Sequence, residues 1–274
     1  MPACSDVARA LGEPLAGTAP HAAIWLAVEQ PGPWGAKALI DSHLDHALGA
    51  ELTRRMADLP VRAVLVRRTG HHADPGPTTP RTVFVARTTG SPRLWRAVVD
   101  DPRAVLDLDL HGLVSGAEPT FGAPVTTPVT LVCTNGRRDV CCAVRGRQVA
   151  VELAAAGADV WECSHVGGHR FSPTVVRLPD GWVFGGVDAA AMTTASCRGR
   201  SALVPAAQAA ELAVLADRHV DPPVALRVAD SGNDEFLVDG VPVTVRLEAV
   251  TAHRPESCGG EPVAALTPVA RRSV

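Results

Sequence analysis

Apolar and polar residues along this chain alternate between two periods. Residues 22–28 (AAIWLAV) form an apolar run of strand length, and Val61–Arg68 (VRAVLVRR) and Arg81–Arg87 (RTVFVAR) are rich in β-branched residues. Between the first two, Leu44, Leu48, Leu52, Met56 and Leu59 recur close to the 3.6-residue repeat. That spacing predicts a helix from about Ser42 that stops before Pro60. Gly70, Pro75, Gly76, Pro77 and Pro80 mark a turn-rich stretch between the last two strands. The first half therefore reads β-α-β-β. From Pro102 to Pro128 the pattern weakens, which places a domain boundary near residue 125.

The second half opens with a strand at Val129–Cys133, followed by a Gly-containing loop. A helix is predicted from about Asp139 to Ala155, with Asp139 as its N-cap. Residues 158–163 (ADVWEC) give a second strand, and a His/Gly loop follows. Thr174–Leu178 and residues 182–187 read as two strands joined at Pro179-Asp180-Gly181. Two helical stretches close the unit, the later one starting at Pro205 in the favoured first-turn position and carrying Leu212 and Leu215. The order β-α-β-loop-β-β-α is that of a thioredoxin-like core, and the first half looks like a partial copy of it. Residues 236–245 suggest a hairpin with Asp239-Gly240 as its turn, and the tail after about Arg254 reads as loop. The chain thus divides into an α/β unit at 1–125, a thioredoxin-like unit at 126–220 and a hairpin extension with tail at 221–274.

Composition narrows the function. With 46% hydrophobic residues the chain is no disordered segment, and a formal charge of −3 without a Lys/Arg block makes a poor nucleic-acid surface. Lys37 is the only lysine and has no phosphate-binding Gly loop around it, which excludes a Walker-type NTPase. No apolar run approaches the ~20 residues needed to cross a bilayer, and the N-terminus does not read as a secretory signal. A cytoplasmic protein without membrane insertion is expected. Its seven cysteines, an odd number, argue against a disulfide framework, the lack of a CxxC pair gives dithiol chemistry no support, and the four close together at Cys133–Cys163 lean towards metal binding.

Two segments carry candidate chemistry: Cys133-Thr-Asn-Gly-Arg-Arg-Asp-Val-Cys141-Cys142 and His165-Val-Gly-Gly-His169. Each begins at the C-terminal end of one of two neighbouring predicted strands, the edge where sites assemble in α/β sheets. Two thiolates and two imidazoles would meet there. Glycines 136, 167 and 168 would let the backbone wrap closely around whatever is held. Cys141 and Cys163 read as core thiols or thiols beside the site, and Cys4, Cys197 and Cys258 as non-ligands. His71 and His72 read as solvated, as does His253, with His43 and His46 on the polar face of their helix. Trp161 and Trp182 read as core.

The motifs CTNGRRDVCC (133–142), HVGGHRF (165–171) and WVFGGV (182–187), with the opening CSDVARALGEPLAGTA (4–19), resemble the sucrase/ferredoxin-like family, relatives of the thioredoxin-like [2Fe-2S] ferredoxins. The resemblance implies a thioredoxin-like ferredoxin domain, and the smaller α/β domain before it reads either as a partner-docking unit or as a degenerate thioredoxin-like one. The resemblance also implies a [2Fe-2S] cluster held by Cys133, Cys142, His165 and His169, with Cys142 favoured over Cys141 by the family spacing. Asn135 stands where many relatives carry His, at a position outside that ligand set. Neutral imidazoles in place of two thiolates raise a cluster's potential, and their second nitrogens can couple it to pH. Arg137, Arg138 and Arg170 flank the motifs and would favour the reduced form. The expected role is a one-electron carrier rather than an enzyme, with a flavoprotein or iron–sulfur reductase as partner. Two other classes compete: a structural Cys2His2 zinc site, and a glycoside hydrolase, for which no pair of carboxylates is in view.

Overall fold

The computed structural model describes residues 3–74, 76, 79–188, 192–250 and 253–273. A short helix, α1 (Cys4–Ala10), precedes β1 (Ile24–Glu29), which lies parallel to β2 (Val61–Arg68). The helix between them, α2 (His46–Arg55), is shorter than its apolar repeat because Asp45 caps it, accepting from the Leu48 amide at 3.0 Å. His43 therefore sits in the loop before the helix and not on its polar face, with Nδ1 3.1 Å from Asp74 Oδ2. β3 (Arg81–Arg87) pairs antiparallel with β1, and a strand the sequence pattern did not reveal, β4 (Arg93–Val99), pairs with β3. The weakly patterned stretch holds a 3-10 turn (Pro102–Asp107), α3 (Leu110–Val114) and the short strand β5 (Ala123–Val125). Pro75 and Pro77 lie outside the described residues.

In the second half, β6 (Val129–Cys133), α4 (Val140–Ala155), β7 (Asp159–Cys163), β8 (Thr174–Leu178) and β9 (Trp182–Gly185) follow in the expected order. Among the described residues one closing helix forms, α5 (Pro205–Asp217); before it stand a 3-10 turn (Thr194–Ser196) and β10 (Cys197–Arg200). Gly199, at φ +136°, coincides with a register shift in β10 and denies that segment a helix. Next come β11 (Val228–Gly232), β12 (Glu235–Val238) and β13 (Val241–Ala249). Asp239 and Gly240, both at positive φ, turn β12 into β13. The tail is not the expected loop: it contains β14 (Arg254–Pro255), β15 (Pro262–Val263) and β16 (Leu266–Arg272), and β16 pairs with β13 over seven residues. The open edge of β13 supplies the hydrogen-bond partners that make this arginine- and proline-bearing segment a strand.

The ten-stranded sheet runs β10-β9-β8-β6-β7-β2-β1-β3-β4-β5. Outward from the β7–β2 junction the two sides are alike. β6 and β1 are parallel to β7 and β2, and each step beyond them is antiparallel. The β6–β9 side has the strand order and directions of a thioredoxin-like core, and the β1–β4 side repeats them. The fold is α/β, as the sequence pattern indicated.

Side chains from β1, β2 and β3 pack with Leu48 and Leu52 of α2, and those of β6–β9 with Val149, Ala150 and Leu153 of α4. Helix α5 is buried between the large sheet and the four-stranded sheet β11-β12-β13-β16, where Leu212 and Leu215 share a core with Phe236, Val243 and Val245. At about 25 cal/mol per Å² of apolar area removed from water, such residues supply most of the driving force for docking the extension. Among the described residues, no helix is long and apolar enough to cross a membrane.

Candidate metal centre

Strands β6 and β7 are parallel with Cys133 opposite Cys163, so both strands deliver their C-terminal ends to one edge. The Thr134 amide donates to the Cys163 carbonyl at 3.0 Å and extends the ladder by one bond. Asn135 then turns the chain: its Oδ1 accepts from the amides of Arg137 and Arg138 at 3.2 and 3.3 Å. Asp139, extended at φ −157°, caps α4 by accepting from the Cys141 amide at 2.9 Å. That cap places Cys142 in the first helical turn, close to Cys133. Gly146 lets the helix press onto the strand, since a Cβ there would stand 2.2 Å from the Cys133 carbonyl oxygen.

The second motif reverses through Gly167 (φ +92°) and Gly168 (φ +70°) into the 3-10 turn His169–Phe171. At Gly168 a Cβ would also meet the Arg198 guanidinium at 2.2 Å. Buried Arg198 donates to the Gly167 carbonyl at 2.9 Å and to the Thr18 carbonyl, and so fixes the turn. Glycine is required at this position both for its backbone angle and for space.

These two turns bring three of the four expected residues together, and the fourth, His169, stands against the far nitrogen of His165. The donor atoms of Cys133, Cys142 and His165 lie within 4.8 Å of one another. His165 presents Nδ1 to Cys133 Sγ at 3.9 Å and Nε2 to His169 Nδ1 at 3.4 Å. The cysteines are fully buried, whereas the His169 side chain keeps 11% of its surface exposed. The Cys142 thiol donates to the Cys133 sulfur, and this bond, with His165 nearby, holds Cys133 well below the usual thiol range. The same pairing and burial push Cys142 up. Burial, with His165 alongside, lowers His169 and keeps its imidazole neutral. Two sulfur donors, one of them favoured as thiolate, stand beside two imidazoles of which one is held uncharged: a soft, nearly ready set for a thiophilic metal centre.

Second contacts tie this edge to the first half. Glu162, buried on β7, accepts from Thr134 Oγ1 at 2.9 Å, pairs with Arg67 of β2 at 2.9 Å, and meets His72 Nε2 at 3.1 Å. His72 is thus engaged as well as half-exposed. Nothing in the local pattern singled out Glu162; an acidic residue inside a five-residue apolar strand was the available signal. Arg170 does not face the site with a free charge, because it pairs with Glu13 at 2.8 Å, while Arg137 and Arg138 are exposed. Trp161 and Trp182 are core.

Cys4, Cys141 and Cys258 do not stand apart from one another: with Asp139 they form a second group whose donor atoms all lie within 4.8 Å. Their sequence positions lie too far apart for any spacing rule to join them.

Comparison with known proteins adds one match: the sucrase/ferredoxin-like family covers residues 15–198, about two thirds of the chain and both turns of the site. No curated protein and no solved structure matches the chain.

Proposed function

The chain belongs to the sucrase/ferredoxin-like family, and we propose that it is a one-electron relay whose [2Fe-2S] cluster is held by Cys133, Cys142, His165 and His169. The observation that carries this reading is the meeting of the buried Cys133–Cys142 pair with His165 at the shared edge of β6 and β7, with His169 next to His165. A bound [2Fe-2S] cluster supplies a reversible one-electron couple at a potential that two imidazole ligands raise. The protein supplies the rest. Cys133 offers sulfur already favoured as thiolate, buried Cys142 would give up its proton on binding, and His169, kept neutral by burial, adds no charge to its side of the donor set. The Asn135 turn, the Asp139 cap and the Gly167-Gly168 reversal fix the donors before any ion arrives, which lowers the reorganisation that slows electron transfer. The histidine side is the more exposed one, so an electron enters or leaves there, from a flavoprotein or an iron–sulfur reductase in the cytoplasm.

Iron and acid-labile sulfide analysis of protein purified without oxygen, with its absorption and EPR spectra, tests the reading. Two irons and two sulfides per chain and a red-brown colour are expected. A colourless preparation with zinc at Cys133 and Cys142 would replace it with a structural site.

A further inference from the structure

Three cysteines outside that ligand set meet at one point. Cys4 opens α1, Cys141 lies in the first turn of α4, and Cys258 follows β14. Their sulfurs are 3.1 Å (Cys141–Cys258), 3.5 Å (Cys4–Cys258) and 3.7 Å (Cys4–Cys141) apart. Asp139 closes the group, with Oδ2 3.7 Å and Oδ1 3.9 Å from Cys4 Sγ. Cys4, Asp139 and Cys141 are buried, and Cys258 is exposed.

A disulfide could join only two of the three sulfurs, and even the shortest separation, 3.1 Å, exceeds the ~2.05 Å of an S–S bond by a full ångström. A tetrahedral zinc ion with Zn–S bonds of about 2.3 Å and a Zn–O bond of about 2.0 Å sets sulfurs roughly 3.8 Å apart and the oxygen roughly 3.5 Å from each sulfur. Of the three sulfur–sulfur separations the largest departure is at Cys141–Cys258, and Cys258, being exposed, has room to move outward. The carboxylate is already oriented. Asp139 Oδ1 accepts from the Cys141 amide at 2.9 Å and Oδ2 from the Cys258 amide at 2.8 Å, and each oxygen keeps a lone pair. The tail that carries Cys258 is anchored nearby, where buried Arg254 donates to Glu13 at 2.9 and 3.0 Å.

We propose that Cys4, Cys141, Cys258 and Asp139 form a second metal site, a Cys3Asp tetrahedron for zinc. Three thiolates select a soft divalent cation over magnesium or calcium. On binding, three thiols give their protons to solvent, and no electron moves. The ion would clasp both ends of the chain to the first turn of α4, one residue from Cys142. The proposal does not depend on what Cys133 holds.

Metal analysis and X-ray absorption at the zinc edge on the full-length protein, purified without oxygen, test it. One zinc per chain is expected, with three sulfurs near 2.3 Å and one oxygen near 2.0 Å. Cys258→Ser and Cys4→Ser should each abolish the bound zinc, and Cys133→Ser should keep it. Cobalt(II) added to chelator-treated protein should give thiolate charge-transfer and tetrahedral bands that Cys258→Ser lacks. Since Cys258 is exposed, that variant spares the core. The proposal is overturned by zinc-free protein whose Cys4, Cys141 and Cys258 all react as free thiols after zinc is supplied. A Cys141–Cys258 disulfide in the anaerobic protein also overturns it, as does zinc that only Cys133→Ser removes.

Discussion

Arg67 and Glu162 are register partners across the β2–β7 ladder, and their side chains form an ion pair at 2.9 Å that is closed to water. The two halves of the large sheet meet along this single strand pair, which has only three register positions. Glu162 also accepts from Thr134, the residue after Cys133, so the contact that joins the halves also steadies the first ligand turn.

Removing one partner of this pair leaves a buried charge with reduced compensation. Glu162→Ala is expected to lower stability by about 3–5 kcal/mol, read as a fall in the urea midpoint. Arg67→Met with Glu162→Leu should recover most of that loss, because an apolar pair of similar volume carries no desolvation cost. A double variant as unstable as Glu162→Ala would show that shape, and not charge, is what the junction needs.

The same carboxylate gives an acid dependence. Burial opposes its ionisation, but His72, Arg67 and Thr134 together hold Glu162 below the usual carboxylate range. Its folded pKa is depressed, so the unfolded chain takes up the proton first as pH falls. The contribution is fully present above the ordinary value of 4.5 and is lost as pH drops through the folded one. Glu211 works the other way: burial raises it despite Arg200, so its cost is relieved on acidification. Stability of the native protein minus that of Glu162→Gln, followed from pH 7 downward, should therefore shrink below about 4.5. A difference that stays constant to low pH would contradict the assignment.

Gly146→Ala tests the closeness of α4 to β6. A Cβ there would stand 2.2 Å from the Cys133 carbonyl oxygen, so the helix has to move. A destabilisation of about 1–3 kcal/mol is expected, together with iron content below that of the native protein, because Cys142 moves with the helix. Normal iron in a destabilised variant would separate helix packing from ligand placement.

The potential should fall as pH rises, by up to about 59 mV per pH unit once a ligand imidazole loses its proton in the oxidised form. Voltammetry from pH 6 to 9 checks this. His165→Cys and His169→Cys should each lower the potential by on the order of 100 mV while keeping a cluster, since each exchanges a neutral donor for an anionic one. Two variants at the native potential would remove both histidines from the ligand set.

Much of this was legible locally. The β-branched runs at Val61–Arg68, Arg81–Arg87, Val129–Cys133 and Thr174–Leu178 match their strands end for end. The Asp139 cap and the Asp239-Gly240 turn were visible because side-chain chemistry alone produces them. What escaped depends on distant partners. β4 mixes arginines with its apolar residues and is a strand because β3 lies beside it. β16 contains Pro268 and two arginines and takes its form from β13. The Cys4–Cys141–Cys258 group spans nearly the whole chain, and only the folded tail brings its last member to α4.

The outer limits of the large sheet have a consequence of their own. One margin is three residues long and includes Pro124, which has no amide hydrogen to offer; the other is four residues long and is broken at Gly199. Both margins are poor templates for another chain's strand, which guards the large sheet against edge-to-edge extension. Association along the large sheet would then have to run through side chains, because its outermost backbone offers another chain little to pair with.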